Sequence, residues 1–179
     1  MILVEKHIIK KSDYRFEELQ SICKLSKNLY NVALYNTRQY FFENNVFLSA
    51  FQLDSILRKK EDVDYNALPQ KVAQQTLKMV EQNFKSFFAL LKLKNKGKYK
   101  EKVKIPKYLD KNGEYTTTYT NQAISKKALK DGFIQLSKSN VRIKTDVKEV
   151  QQVRLVPKGN HIVVEVLYKV IEKDLKENN

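Results

Sequence analysis

The sequence predicts an α+β fold in which a small OB-like β-barrel is interrupted by an inserted helical domain. Three observations support this fold: an opening segment with a strand pattern, a long block with helical periodicity, and a closing series of β-rich runs separated by turns. The opening strand is expected to pair with strands from the end of the chain and so to close a barrel. The predicted division is 1–12 with 96–172 for the barrel, 13–95 for the helical insertion and 173–179 for a polar tail.

The first two elements are a strand and a long helix. Residues 1–11 mix aliphatic and charged side chains, which predicts a strand with one buried face. Ser12 and Asp13 are candidates to cap the helix that follows. Its apolar pattern predicts a break or bend near Ser26 and an end at residues 43–45.

The remaining elements are two helices and a set of strands. Ser49 is placed to cap a shorter helix, residues 61–67 are expected to be a linker, and Pro69 suits the first turn of a helix that runs to about Lys94. Beyond Gly97 the character changes. The strand-like runs cover residues 132–136, 141–145, 150–156 and 161–170.

The helix that starts near Pro69 leads directly into a dense series of lysines. Its apolar residues recur at spacings of three and four: Ala73, Leu77, Val80, Phe84, Phe88 and Leu91. Lys71, Gln75 and Lys78 fall on other faces, where they are free to contact a partner. The segment that follows, called here the lysine run (residues 92–107), contains Lys92, Lys94, Lys96, Lys98, Lys100, Lys102, Lys104 and Lys107.

The lysine run is predicted to contact a nucleic-acid backbone, together with Lys78. Glu101 is its only acidic residue, and this density of positive charge favours a polyanion, with phosphate the best fit. The alternative interpretation is a solvated linker. Tyr108, Tyr115 and Tyr119 are candidates for stacking on bases, although core packing explains their positions equally well.

The composition agrees with a basic, folded protein. Lys and Arg number 34 against 20 Asp and Glu, so the net charge is +14 and the pI is about 9.7, while 42% hydrophobic residues suffice for a core. No apolar run approaches the roughly 18 residues of a spanning helix, and no signal peptide opens the chain, so a cytoplasmic location without a membrane partner is expected. Cys23 has no partner, which excludes disulfides and Cys-based metal sites. No cofactor, metal or catalytic residue is predicted.

Four motifs give the chain a resemblance to a known family. They are LSKNLYNVALYNTRQYF, LPQKVAQQTLKMVEQNFKSFF, VKIPKYL, and YTTTYTNQAIS followed by DGFIQLSKSNVRIK. In this order and spacing they resemble the N-terminal half of the transposon-encoded TnpB family of RNA-guided DNA endonucleases, which are related to compact type V CRISPR effectors. The similarity covers nearly the whole chain, and it depends on the set of motifs because no single one is diagnostic.

The resemblance implies a split wedge domain of barrel type with an inserted helical recognition domain. Together they would bind a guide RNA and the duplex of guide and target DNA, and read a short DNA motif beside the target. The family's contacts to motif bases carry over to Lys71, Gln75, Thr120, Asn121, Ser49 and Asp54. Gln pairs well with adenine and Lys with the acceptors of guanine, which suits base reading.

The chain departs from the family in its chemistry. The family continues into a nuclease domain with three separated acidic catalytic residues and a Cys-rich zinc module, and neither pattern is visible here. This chain alone is therefore expected not to cut nucleic acid, and a nuclease domain or partner chain would supply cleavage. Two other interpretations stay open: a cleavage-dead DNA-binding regulator or subunit, and a barrel-type RNA-binding protein unrelated to transposition.

Overall fold

The computed structural model describes residues 1–170 and confirms the α+β class. The predicted tail, 173–179, and the end of the predicted barrel lie outside the described residues. In chain order the elements are β1 (Ile2–Lys10), α1 (Phe16–Asn44), α2 (Ala50–Lys59), α3 (Val63–Ala67), α4 (Gln70–Asn95), β2 (Thr117–Thr120), a 3-10 turn (Asn121–Ala123), α5 (Lys126–Lys130), β3 (Phe133–Gln135), β4 (Arg142–Lys144), β5 (Val150–Pro157) and β6 (His161–Lys169).

The main sheet is antiparallel and has the strand order β1-β6-β5-β2. The prediction that the opening strand pairs with the closing ones is confirmed, since β1 pairs with β6 from Ile2 opposite Lys169 to Lys10 opposite His161. One face of the sheet packs on α1 and α4. On β1 this face carries Ile9, which is buried, whereas the aliphatic side chains on the other face are largely exposed.

The predicted closed barrel is wrong for the part of the chain that the structure describes. Four strands form an open sheet, while β3 and β4 pair with each other in a separate two-stranded sheet. Each of these two strands is three residues long. Even the smallest common barrels need about five strands with continuous pairing, and strands this short do not supply it.

The helix α1 shows why apolar periodicity misplaced a break. It runs without interruption from Phe16 to Asn44, so the predicted break near Ser26 is absent. Ser26 is fully buried, and its hydroxyl lies 3.1 Å from the hydroxyl of Thr76 in α4 and 3.5 Å from the carbonyl of Thr116. A polar residue with tertiary partners does not need to disrupt its own helix.

The predicted cap of α1 is also wrong. The residue before the helix is Arg15, and neither Ser12 nor Asp13 occupies the capping position. The Asp13 carboxylate instead accepts hydrogen bonds from the Arg15 backbone N–H at 2.9 Å and from its guanidinium at 2.9 and 2.7 Å. These bonds lower the pKa of Asp13 from 3.8 to about 2.

The segment expected to be a linker forms the short helix α3. Asp62 caps it by accepting a hydrogen bond from the backbone N–H of Tyr65 at 3.0 Å, and the ring of Tyr65 is buried. The other predicted helix ends are confirmed: Asn45 ends α1 in a left-handed conformation with φ of 57°, and Pro69 directly precedes α4. The predicted strands correspond to β1 and β3–β6, but β2 and α5 were not predicted.

Helices and sheet share one core. The buried side chains form a single cluster that includes Leu29 of α1, Phe84 of α4 and Val164 of β6. The residues predicted as barrel and those predicted as helical domain thus pack around the same cluster. Their division into two domains stays a prediction. The consequence for function is that α4 and the residues after β2 are held in fixed relation, since α4 contacts both β2 and the 3-10 turn.

Candidate nucleic-acid interface

The lysine run starts on a helix and ends on irregular chain. Lys92 and Lys94 lie in the last turn of α4, where positive charge complements the helix dipole. Gly97 then turns the chain with φ of 70°, and residues 98–116 form no helix or strand. Every lysine of the run is exposed, and none takes part in an ion pair within residues 1–170. This charge is therefore available to an external anion.

The irregular chain after the lysine run is anchored along α1. The side-chain amide of Asn31 donates to the Leu109 carbonyl at 3.0 Å and accepts from the Leu109 N–H at 2.9 Å. Lys27 donates to the carbonyl of Lys111 at 2.6 Å, and the N–H of Tyr115 donates to the carbonyl of Cys23 at 3.0 Å. These bonds fix the segment antiparallel to α1, so the lysine run leaves α4 and returns to a defined position.

The exposed face of α4 carries the predicted base-reading pair. Lys71 is exposed and Gln75 is half-buried, one helical turn apart, while the opposite face is buried through Ala73, Leu77 and other core residues. Lys78, one turn further, lines a groove of about 220 Å³ between α2 and α4. The exposed ring of Phe51 borders the same groove. This face offers hydrogen-bonding side chains on a rigid support.

Ser49 serves the fold rather than a ligand. Its hydroxyl accepts a hydrogen bond from the Gln52 N–H at 3.2 Å and donates to the Gln52 side-chain oxygen at 3.0 Å. The same oxygen accepts from the Ser49 N–H at 2.9 Å, which completes a capping box at the start of α2. The predicted cap is thus confirmed, and it explains Ser49 without a role in base reading, because the hydroxyl proton is already donated to Gln52.

Asp54 is likewise engaged inside the helical region. One carboxylate oxygen accepts hydrogen bonds from the Tyr65 hydroxyl and from the Gln74 amide, the latter at 3.1 Å, while the other lies 3.5 Å from the Arg58 guanidinium. The side chain is 13% exposed. Burial and the carboxylate together raise the pKa of Tyr65, so its hydroxyl remains a donor. This network joins α2, α3 and α4 and gives Asp54 a structural role, which explains the residue without base reading.

Thr120 and Asn121, at the end of β2, differ in the exposure of their side chains. The Thr120 hydroxyl is buried and has no hydrogen-bond partner within residues 1–170, so it cannot reach a base in this conformation. Asn121 is exposed and lines a cleft of about 710 Å³. The burial of its hydroxyl gives the predicted role of Thr120 no support, whereas the predicted role of Asn121 is compatible with the structure.

The cleft beside Asn121 contains basic residues that sequence reasoning missed. Lys126 and Lys130 come from α5, and Lys148 comes from the loop before β5. All three are exposed. The two α5 lysines are four residues apart, a spacing that places them on one face of a helix. The helix itself was not predicted, so this shared face was missed.

The three tyrosines predicted as candidates for base stacking differ in their exposure. Tyr119 is 1% exposed in the core, which excludes stacking on a base. Tyr115 packs against Tyr30 with a centroid distance of 4.8 Å, and burial raises its pKa to about 12, so core packing is its role as well. Tyr108 is 45% exposed and lies over the guanidinium of Arg38. Of the three predictions, only that for Tyr108 is compatible with the structure.

Metal-binding and membrane-spanning features are absent from residues 1–170. No group of three or more His, Cys, Asp and Glu side chains in this region could hold a metal ion. Burial raises the pKa of the Cys23 thiol to about 12, which keeps it protonated and inert. No helix in the same range has the length and apolarity needed to cross a bilayer.

Comparisons with known proteins add no family assignment. No protein-family model matches the chain, and a search of curated proteins found no match.

Proposed function

We propose that this chain is the nucleic-acid recognition module of a TnpB-like RNA-guided nuclease. It binds guide RNA and the duplex of guide and target DNA, and it reads a short motif beside the target. The open sheet and the β3–β4 hairpin would serve as the wedge, and the helices as the recognition domain. Cleavage is assigned to another domain or chain.

The observation that carries the proposal is the continuity between a rigid polar helix face and an unpaired lysine run. Lys71 and Gln75 project from α4, and the same helix passes into the exposed lysines of residues 92–107. Phosphate contacts position a protein on nucleic acid, and hydrogen-bonding side chains on a rigid element read base edges. The arrangement supplies both kinds of contact in one stretch of chain.

The geometry favours three of the six residues predicted to read motif bases. Ser49, Asp54 and Thr120 are engaged or buried, so the proposed readers are Lys71, Gln75 and Asn121. The elements that bear them are in contact, because α4 packs on β2 and on the 3-10 turn that begins with Asn121. The α5 lysines add backbone contacts beside Asn121.

The test uses the chain together with the RNA that co-purifies from its source. Sequencing this RNA is expected to give one discrete, structured species. The loaded chain is then offered duplexes that carry a target complementary to the RNA, next to a randomised segment. Enrichment of one short motif is expected, and the combined Lys71→Ala and Gln75→Ala variant is expected to lose that enrichment while retaining the RNA. Equal, weak binding to every nucleic acid would show that the charge is generic and would end the proposal.

A second candidate is an RNA-binding protein that does not depend on a DNA motif. The internal hydrogen bonds of Ser49 and Asp54 and the burial of the Thr120 hydroxyl favour it, because they leave three of the six predicted readers. This candidate predicts tight capture of a discrete RNA with no motif enrichment. The same experiment therefore separates the two.

A further inference from the structure

Arg38 lies against two aromatic rings on the surface of α1. Its guanidinium carbon is 5.0 Å from the ring centroid of Tyr108 and 5.7 Å from that of Phe42. Phe42 is one helical turn beyond Arg38, and the rings of Phe42 and Tyr108 are 59% and 45% exposed. These three residues are called here the arginine–aromatic cluster. Tyr35, 56% exposed, lies on the same face of α1 at a spacing of three from Arg38.

The position of the cluster is set by the fold. Tyr108 belongs to irregular chain, but the next residue, Leu109, is held by the paired hydrogen bonds with Asn31. Ile105 and Leu109 also pack against the core with part of their surface. The ring of Tyr108 is thereby presented to Arg38, and this preorganisation reduces the entropy lost when a ligand binds.

The guanidinium retains unused binding capacity. Cation–π contact uses the face of the guanidinium, whereas its N–H groups point outward in the plane of the group. Arg38 takes part in no ion pair within residues 1–170. With a net charge of +14 and the exposed Lys107 next to Tyr108, the surroundings favour an external anion. A planar fork of donors fits two phosphate oxygens well.

The exposed rings indicate what accompanies that phosphate. In a duplex the base faces are stacked on each other, whereas an unpaired base can stack on an aromatic side chain. We propose that the arginine–aromatic cluster binds an unpaired nucleotide, with the guanidinium on its phosphate and an exposed ring under its base. The inference rests on the proposed nucleic-acid binding. It assigns single-stranded nucleic acid to this cluster and duplex nucleic acid to the lysine run.

The experiment measures anisotropy of labelled oligonucleotides with the full chain. The probes are a single-stranded RNA, the single-stranded DNA of the same sequence, and the corresponding duplex. Arg38→Gln and Tyr108→Ala are each expected to weaken single-strand binding about tenfold, and to change duplex binding less than about twofold. Tyr108→Phe keeps the ring and is expected to retain affinity. Arg38→Lys keeps the charge but loses the fork, and it is expected to bind with intermediate affinity.

Controls separate the cluster from general charge and general aromaticity. Lys169→Gln removes one exposed positive charge at the end of β6, and Tyr14→Ala removes the aromatic ring of an 88% exposed residue just before α1. Neither is expected to change single-strand binding. Thermal melting identifies any variant that fails to fold; the two conservative variants, Tyr108→Phe and Arg38→Lys, then carry the comparison.

The outcomes distinguish this inference from the proposed function. Equal losses on single strand and duplex, or no loss at all, would overturn the cluster as a single-strand site. Absence of binding to every oligonucleotide would overturn it too and would favour a protein partner. If single-strand binding depends on the cluster while no discrete RNA co-purifies, the inference stands and the proposed function fails. Preference for the RNA or the DNA probe identifies which strand occupies the site.

Discussion

Lys71 and Gln75 project from a helix whose opposite face is buried, whereas Lys98, Lys100 and Lys102 lie on chain without helix or strand. The first region has few charges in a fixed geometry. The second has many charges and little local structure. Both leave their polar side chains without ion-pair partners within residues 1–170.

The difference suggests a division of labour. Attraction to phosphate falls slowly with distance and tolerates flexible lysines, so the lysine run suits affinity. Base reading requires donors and acceptors placed within a few tenths of an ångström, so a packed helix suits specificity. If this division holds, substitutions in the two regions will change different measured quantities.

The largest effect is expected from neutralising the irregular part of the lysine run. Replacing four lysines with Gln should weaken RNA binding by about a hundredfold at physiological salt, because each phosphate contact releases condensed counterions. The slope of log affinity against log salt concentration should fall by roughly 3. The positions are Lys98, Lys100, Lys102 and Lys104. Fluorescence anisotropy across a salt series measures both quantities.

The matched control removes the same number of charges elsewhere. Four exposed lysines near the ends of β1, β5 and β6 serve this purpose: Lys10, Lys11, Lys158 and Lys169. Their replacement with Gln should change the slope by much less. Equal effects in the two sets would mean that net charge alone governs binding, and the comparison between the two regions would lose its basis.

The next effect concerns specificity. The combined Lys71→Ala and Gln75→Ala variant should lose about 10- to 100-fold in discrimination between the preferred DNA motif and others, since a good bidentate base contact contributes about 1–3 kcal/mol. RNA affinity should change by less than about twofold. Gln82→Ala, which alters an exposed residue further along α4, is the control. A proportional loss on all sequences would place Lys71 among the phosphate contacts instead.

Residue patterns predicted most of the buried face of α4 (Ala73, Leu77, Val80 and Phe84) and the approximate bounds of the strands β3–β6, because both follow from local sequence. They could not show which exposed polar residues are already engaged. In the sequence, Ser49 and Asp54 are polar residues at or in a helix, as Lys71 is. In the structure, Ser49 is hydrogen-bonded to Gln52, and Asp54 to Tyr65 and Gln74. The capping role of Ser49 is a local pattern and was predicted, whereas the partners of Asp54 come from α3 and α4, which a pattern within α2 does not reveal.

The sheet and the tyrosines illustrate the same limit at longer range. Strand pairing between the two ends of the chain followed from their patterns, but whether the sheet closes depends on strand lengths that patterns give only approximately. The arginine–aromatic cluster joins Arg38 to Tyr108 across α1 and an irregular segment. No spacing in the sequence brings these two residues together; the Asn31 hydrogen bonds to Leu109 do.

A smaller effect is expected where a predicted reader belongs to the fold. Ser49→Ala removes the cap of α2 and should lower the free energy of unfolding by about 1 kcal/mol. RNA affinity and motif discrimination should stay unchanged at temperatures where the variant is folded. Ser49→Thr retains a capping hydroxyl and should recover most of the stability. Urea denaturation measures the free energy of unfolding. A variant that keeps full stability but loses motif discrimination would show that Ser49 contributes to base reading.

The smallest effect comes from a charge that is used inside the protein, in contrast to the external charge of the lysine run. Asp13→Asn breaks the pairing with Arg15 and should lower the free energy of unfolding by about 0.5 kcal/mol at neutral pH. Because the pairing lowers the pKa of Asp13 from 3.8 to about 2, its contribution is complete above about pH 4 and is lost as the pH falls towards 2. Urea denaturation of both proteins between pH 2 and 7 should therefore show a difference that shrinks below pH 4.

Asp131→Asn, at an exposed position after α5, should show no such difference. A difference that stays constant with pH would mean that the ionised carboxylate of Asp13 does not stabilise the fold.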